Sequence, residues 1–145
     1  MNIDIAAAVI VAWTLYHEGR SEGASGLALI ASVVHNEAQG VHSEIPRLVQ
    51  NARRYHCWKR LGDAYEYARD HKPPAIGPDG KAWVECQTIA WLLLSGKFQP
   101  ITKATHYCKK GEAPLAWKTS KRMTYLYTSG GHEFWVDGAN AKTQI

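Results

Sequence analysis

The chain has 145 residues, of which 46% are hydrophobic and 21% are charged, so it is not an intrinsically disordered protein and fits a single globular domain over residues 1–145. Its net charge of +4 and pI near 9.0 favour an anionic partner such as nucleic acid, a membrane surface or a cell-wall polymer. The three cysteines, Cys57, Cys86 and Cys108, lack CxxC spacing. We therefore expect no disulfide framework and a reducing compartment during folding.

The first half of the chain has the apolar periodicity of helices. A nearly uninterrupted apolar run predicts a helix over residues 4–18. It is shorter than the roughly 20 apolar residues that span a bilayer, so we expect no stable membrane insertion. A second helix is predicted from Ser25 to Gly40, a shorter one around Pro46, and another over residues 61–69.

The second half combines one long helix with short strands. Residues 73–80 form a predicted loop, and apolar spacing predicts a helix over residues 82–96. A strand is expected over residues 104–108, and residues 124–128 and 132–136 flank a glycine-rich turn as in a hairpin. The pattern predicts an α+β fold, mainly helical, with a small antiparallel sheet or hairpin in the C-terminal third.

Metal and cysteine chemistry receive little support from spacing. Residues 17–18 and 132–133 begin like HExxH, but serine and valine occupy the place of the second histidine. His106 and His132 could still meet as zinc ligands, so a zinc-dependent peptidoglycan amidase or peptidase stays an alternative. Cys57 beside a histidine is a conceivable nucleophile, although we expect it in the core. We expect no metal and no other cofactor.

The aromatic content suits a carbohydrate partner. Six tryptophans and seven tyrosines accompany only two phenylalanines, and Trp and Tyr combine an apolar face with a polar tip, as sugar stacking requires. Nucleic-acid binding would interleave basic residues with these rings; the pairs at residues 53–54 and 109–110 are instead interpreted as solvated faces, so we expect no nucleic-acid partner. The expected groove residues are Trp58, Tyr107, Trp117 and Trp135. The tryptophans assigned to the core are Trp13, Trp83 and Trp91.

A single carboxylate stands at the end of the first apolar helix. Glu18 follows that run directly, and burial there would raise its pKa and let it hold a proton near neutral pH as a general acid. The alternative is that Glu18 merely ends a helix in solvent.

Several segments, taken in order, resemble one family. Residues 16–22 are similar to the Tyr-Gly-Glu-Ala-Arg-Gly-Glu opening of the cell-wall hydrolase family of spore-cortex lytic enzymes, and the following helix resembles that family's helix ending in Leu-Asn-Arg. The further matching segments are residues 55–58, 104–107, 114–117 and 132–135. The resemblance covers most of the chain.

This resemblance implies a lysozyme-like scaffold that cleaves peptidoglycan glycan strands between N-acetylmuramic acid and N-acetylglucosamine. The family's single essential acid falls on Glu18, which would act as the only acid/base in lytic transglycosylation. The residues expected to bind substrate or support the acid are Glu22, Arg20, Asn36, Trp58, Thr105, His106, Tyr107 and Trp117.

Departures from the family keep other functions open. His17 replaces a glycine beside the acid, Glu37 stands where arginine is usual, and Cys108 replaces a second histidine. A hydrolytic muramidase (lysozyme) using Glu18 with Glu22 is the main alternative. A non-catalytic sugar-binding module, in which the tryptophans act alone, is another.

The setting expected from the sequence is that of a phage endolysin. The N-terminal run carries Asp4 rather than basic residues and shows no signal-peptide cleavage site. We therefore expect a monomer made in the host cytoplasm that reaches the wall through membrane lesions formed by another protein. A secreted enzyme is the alternative.

Overall fold

Helices make up most of the chain up to residue 94, and the strands follow. The protein is represented by a computed structural model that describes residues 3–138. Its α-helices are α1 (Ile5–Gly19), α2 (Gly23–Glu37), α3 (Ile45–Val49), α4 (Cys57–Leu61), α5 (Ala64–Asp70), α6 (Gly77–Leu94) and α7 (Leu115–Thr119). Its β-strands are β1 (His106–Lys109), β2 (Met123–Ser129) and β3 (His132–Asp137). This confirms the predicted mainly helical α+β class with a small antiparallel sheet in the C-terminal part.

Helix α1 lies at the centre of the hydrophobic core. Asp4 caps its start by accepting a hydrogen bond from the Ala6 N–H, as expected of an N-cap carboxylate. The helix packs most extensively against α6 and also contacts α2. At its end, a Cβ on Gly19 would lie 2.5 Å from Cδ1 of Ile30. Glycine therefore allows α2 to approach closely just after Glu18 and fixes where that carboxylate emerges.

The sheet is joined to the helices through the end of α2. Its strand order is β1-β3-β2, all antiparallel, with a bulge between Tyr125 and Tyr127. The buried Asn36 amide donates to the carbonyl oxygens of Thr102 (2.7 Å) and Ala104 (2.8 Å), in the segment that leads into β1. This side chain therefore sets the position of β1 relative to α2.

Several boundaries differ from the predicted ones. Helix α6 begins at Gly77 because Pro78, read as part of a loop, occupies the first turn where its missing N–H costs nothing. The helix predicted over residues 61–69 corresponds to α5 and begins later, at Ala64, because Gly62, at φ +87°, ends α4. Helices α4 and α7 were not predicted, since five-residue helices leave too little periodicity to detect.

The tryptophan assignments were correct in two cases of three. Trp13 and Trp83 are buried, with their rings 4.5 Å apart. Trp91 was assigned to the core but is 53% exposed. It lies on the outward face of α6, where helical periodicity alone gave no indication of which side meets solvent.

No helix among residues 3–138 has the length and apolar character needed to cross a membrane.

Candidate active site

A cleft of about 510 Å³ opens where the end of α1 meets β1. Residues from the ends of α1 and α2, from α4 and the loop before it, and from β1, α7, β3 and the loop between β1 and α7 form its walls. The lining residues are His17, Glu18, Glu37, Arg53, Arg54, Tyr55, His56, Cys57, Arg60, His106, Tyr107, Cys108, Lys109, Glu112, Pro114, Trp117 and His132.

Glu18 projects into this cleft, half-buried, from the last turn of α1. The Tyr107 hydroxyl donates to its Oε1, and the backbone N–H of Cys57 also donates to the carboxylate. Burial raises the pKa of Glu18; the two hydrogen bonds, together with His56 and His132, oppose that rise without cancelling it. The carboxyl group is thus both held in place and able to retain a proton at higher pH than an ordinary glutamate.

Tyr107 remains a hydrogen-bond donor across the whole neutral range. Burial and the neighbouring Glu18 raise the pKa of Tyr107 well above its usual value. A phenol that does not ionise can only donate to the Glu18 carboxylate, so it fixes that carboxylate's orientation. The sequence placed Tyr107 among the supporting residues, and the structure places it in direct contact with the candidate acid.

Glu22 is turned toward the β2–β3 hairpin. The Gly131 N–H donates to both of its carboxylate oxygens at 3.3 Å, and His132 Nδ1 lies 3.2 Å from Oε1. A Cβ on Gly130 would lie 2.1 Å from Oε2, so this turn accommodates the carboxylate because its residue is glycine. Glu22 is not among the residues that line the cleft, and its contacts are those of a residue that holds the hairpin.

A different carboxylate shares the cleft with Glu18. Glu37, whose side chain is 6% exposed, pairs with Arg54 at 2.6 Å. Burial raises its pKa to about 7, although the Arg54 charge acts in the opposite direction. Arg54 also donates to the Thr105 carbonyl oxygen at 3.2 Å and so connects the end of α2 to the start of β1. The sequence indicated Glu37 only as a departure from the family, and its pairing with the partly exposed Arg54 was not predicted.

Basic side chains also line the cleft. Arg53, Arg54, Arg60 and Lys109 all line it, so the pair at residues 53–54, interpreted as a solvated face, also borders the cleft. Arg53 and Arg60 are exposed, which leaves their guanidinium groups accessible to a ligand. The hydrophobic pattern could not show this, because these arginines precede and belong to a helix too short to be recognised.

His106 and Trp117 also line the cleft, with their rings 5.2 Å apart and edge to face. Burial and the nearby Arg54 lower the pKa of His106 to about 4, so the imidazole is neutral near pH 7. Thr105 is fully buried, and its hydroxyl lies 2.8 Å from His106 Nδ1. Trp135, expected at the groove, is buried behind Trp117 instead.

Three further predicted site residues lie away from the cleft. Trp58 is 4% exposed, and its indole N–H donates to the Thr14 hydroxyl, so its assignment to a sugar-stacking groove is wrong. The guanidinium of Arg20 lies 5.1 Å from the centre of the Tyr16 ring on the surface. Asn36 is buried and holds the segment before β1. Each of them shapes the scaffold around the acid, and none lines the cleft.

His17 is neutral beside the candidate acid. Burial, together with the charges of Arg60 and Arg20, lowers its pKa to about 4. Its Nε2 lies 3.0 Å from the Tyr67 hydroxyl, and its ring stacks on Trp13 at 5.4 Å. The imidazole therefore adds no positive charge next to Glu18 at neutral pH.

Cysteine chemistry is disfavoured at this site. Burial and the Glu18 charge raise the pKa of the Cys57 thiol to about 12, so the nucleophilic thiolate does not form near neutral pH. Cys57 is nearly buried, as expected of a core residue, although it touches the cleft. Within residues 3–138, no group of three or more His, Cys, Asp or Glu side chains is arranged to hold a metal ion.

No family model, curated protein or solved structure matches this chain in the comparisons made.

Proposed function

We propose that the protein cleaves the glycan strands of peptidoglycan between N-acetylmuramic acid and N-acetylglucosamine, by lytic transglycosylation with Glu18 as the single acid/base. The observation that carries the proposal is the setting of Glu18. It is a half-buried carboxyl group with a raised pKa, oriented by Tyr107 and Cys57, in a cleft of about 510 Å³. Such a group is suited to general acid catalysis near neutral pH.

In the first step, protonated Glu18 gives its proton to the oxygen of the glycosidic bond. The bond between that oxygen and C1 of the muramoyl residue breaks, and positive charge develops at C1. Glu18 becomes a carboxylate, which accepts the hydrogen bonds of the Tyr107 hydroxyl and the Cys57 N–H. Hydrogen bonds to an ionised acceptor are stronger than those to a neutral one, so these two donors favour proton transfer to the substrate.

In the second step, the same carboxylate takes the proton from the muramoyl C6 hydroxyl. The oxygen of that hydroxyl forms a bond to C1, which closes a 1,6-anhydro ring and returns Glu18 to its protonated form. No water is consumed and no second carboxylate is needed. This agrees with a site in which Glu22 faces the hairpin and Glu37 pairs with Arg54.

The basic residues that line the cleft support an anionic polymer as substrate. The lactyl groups and peptide stems of peptidoglycan carry carboxylates, and Arg53, Arg60 and Lys109 border the cleft on the surface. Attraction between exposed charges is screened by salt, so we expect the activity to fall as ionic strength rises.

A hydrolytic muramidase is the second candidate. Two-carboxylate glycosidases require a partner about 5–10 Å from the acid. Glu37 lines the same cleft, with a pKa raised to about 7, whereas Glu22 does not line it. If the enzyme hydrolyses its substrate, Glu37 is therefore a better candidate for the second carboxylate than Glu22.

Mass spectrometry of the soluble products from purified peptidoglycan tests both candidates. The samples are wild type, Glu18→Gln, Glu22→Gln as the matched control, and wild type with a metal chelator. We expect muropeptides lighter by one water than hydrolysed ones, their loss in Glu18→Gln, and their persistence in the other two samples.

The remaining outcomes would overturn the proposal in different ways. Hydrated reducing ends would establish a muramidase and direct attention to Glu37. Cuts confined to the peptide stems, with sensitivity to the chelator, would establish a zinc-dependent amidase. Binding to the wall without any released product from wild type would establish a sugar-binding module.

A further inference from the structure

The hydrogen bonds around Thr105 determine where the proton of the His106 imidazole lies. The backbone N–H of Asp137 donates to the Thr105 hydroxyl oxygen at 2.8 Å. The same hydroxyl lies 2.8 Å from His106 Nδ1, and among residues 3–138 it has no other acceptor for its hydrogen. Because Thr105 is fully buried, an undirected hydroxyl hydrogen would be costly, so the hydroxyl donates to Nδ1.

A neutral imidazole carries only one N–H. If Nδ1 accepts from Thr105, the hydrogen is on Nε2. Among the described residues, no hydrogen-bond partner is found for Nε2, and His106 forms part of the cleft wall. The Trp117 ring stands edge to face against the imidazole at 5.2 Å and lines the same wall. The result is a fixed, uncharged donor next to an apolar aromatic surface.

We propose that His106, held by Thr105 as the Nε2–H tautomer, forms with Trp117 a subsite for the acetamido group of an N-acetylated amino sugar. The Nε2–H donates to the acetamido carbonyl oxygen, and the Trp117 ring contacts the methyl group. This assignment rests on the proposed function, since it names the part of the glycan that this wall recognises.

The chemistry of the wall favours a neutral acceptor over a carboxylate. His106 carries no charge near pH 7, whereas charged donors for carboxylates are present elsewhere in the cleft lining in Arg53 and Arg60. Free amino groups are also a poor match, because they are cationic and place a donor against the Nε2–H donor. An acetamido group offers both an uncharged acceptor and a methyl group for the indole face.

Nitrogen NMR of the imidazole rings tests the tautomer without any substrate. In the full-length chain carrying Glu18→Gln, we expect His106 to show an unprotonated Nδ1 and a protonated Nε2. Thr105→Val removes the hydroxyl at nearly constant shape, and we expect the His106 signals to move toward a mixture of tautomers. An Nδ1–H tautomer in the parent protein would overturn the inference.

Binding measurements test the ligand. The probes are the β-1,4-linked tetramer of N-acetylglucosamine and the same tetramer without its acetyl groups, titrated into the Glu18→Gln protein. We then compare His106→Phe, which keeps a ring and loses the donor, with His106→Gln, which keeps an N–H near the position of Nε2. Repulsion between the cleft and the free amines is common to the Glu18→Gln parent and its two His106 variants. The change in the ratio of affinities for the acetylated and deacetylated tetramers therefore isolates the contact with His106.

We expect the preference for the acetylated tetramer to fall about tenfold in His106→Phe and to be largely retained in His106→Gln, as for one buried hydrogen bond. An unchanged preference in His106→Phe would overturn the subsite even if peptidoglycan cleavage is confirmed. Conversely, the same tenfold loss in a protein that releases no glycan products would uphold the subsite while the proposed reaction failed.

Discussion

Two glutamates four positions apart end up in opposite settings. Glu18 accepts hydrogen bonds from the Tyr107 hydroxyl and the Cys57 N–H inside a cleft, and burial raises its pKa. Glu22 accepts a hydrogen bond from the backbone N–H of Gly131 and faces the β2–β3 hairpin instead. Tyr107 lies 89 residues beyond Glu18 in the chain, and Gly131 lies 109 residues beyond Glu22. The elements that pack against a carboxylate, rather than its local sequence, therefore decide whether it lies in the cleft with a raised pKa or holds a hairpin in place.

The largest expected effect is a difference in catalytic activity between variants of these two carboxylates. Glu18→Gln removes the transferable proton but keeps the shape of the side chain, so we expect kcat on peptidoglycan to fall about 10²–10⁴-fold, the usual contribution of general acid–base catalysis. Glu22→Gln should retain turnover close to that of wild type. Turbidity assays on purified walls, with circular dichroism to confirm folding, measure both. Equal losses in the two variants would contradict the distinction.

A second effect concerns the other cleft carboxylate, Glu37, and stability. Its pKa is raised from 4.5 to about 7, and one pKa unit corresponds to about 1.4 kcal/mol. The folded state therefore binds its proton more tightly than the unfolded state. This contribution is fully present below pH 4.5 and is lost as the pH rises through about 7. Relative to Glu37→Gln, we expect wild type to lose up to about 3 kcal/mol of unfolding free energy between pH 4 and pH 8.

Urea unfolding at the two pH values measures this difference. The matched control is Glu44→Gln, which removes a carboxylate paired with Arg47 in an exposed ion pair. Pairs of that kind contribute little, so its pH dependence should follow that of wild type. If Glu37→Gln also parallels wild type, the Arg54 charge fully compensates the burial of Glu37.

The sequence predicted elements with long periodicity better than contacts between distant segments. The apolar run that becomes α1, the glycine turn between β2 and β3 and the position of Glu18 at a helix end were all readable, because each depends on neighbouring residues. Trp58 was misassigned, because its burial depends on a hydrogen bond to Thr14 in α1. Glu37 was missed as a cleft residue for the same reason, since Arg54 lies in a loop whose path no local pattern specifies.

A third, smaller effect tests the donor that orients Glu18. The hydrogen bond from Tyr107 lowers the pKa of Glu18, so Tyr107→Phe should raise that pKa further. A general acid works when protonated, and its activity falls as the pH rises through its pKa. We therefore expect the alkaline limb of the pH–activity profile to move to higher pH, with a loss in kcat of about tenfold from poorer positioning and lost stabilisation of the carboxylate. Tyr125→Phe, which removes an exposed hydroxyl bonded to Thr128, is the control. A shift toward lower pH would contradict the assignment.

The smallest expected effect lies at the anchor. Glu22→Gln weakens the hydrogen bonds from Gly131 and the contact with His132, at a cost of about 1 kcal/mol for a partly exposed group. A Cβ on Gly130 would collide with Oε2 of Glu22, so Gly130→Ala must displace the carboxylate in addition to straining a residue at φ +57°. The backbone strain is common to both backgrounds, but displacement of the carboxylate matters only when Glu22 is present. Gly130→Ala should therefore cost less unfolding free energy in Glu22→Ala than in wild type, and the double-mutant cycle measures that difference. Strictly additive costs would mean that Glu22 does not anchor the hairpin. The two glutamates would then differ only in that Glu18 lies in the cleft.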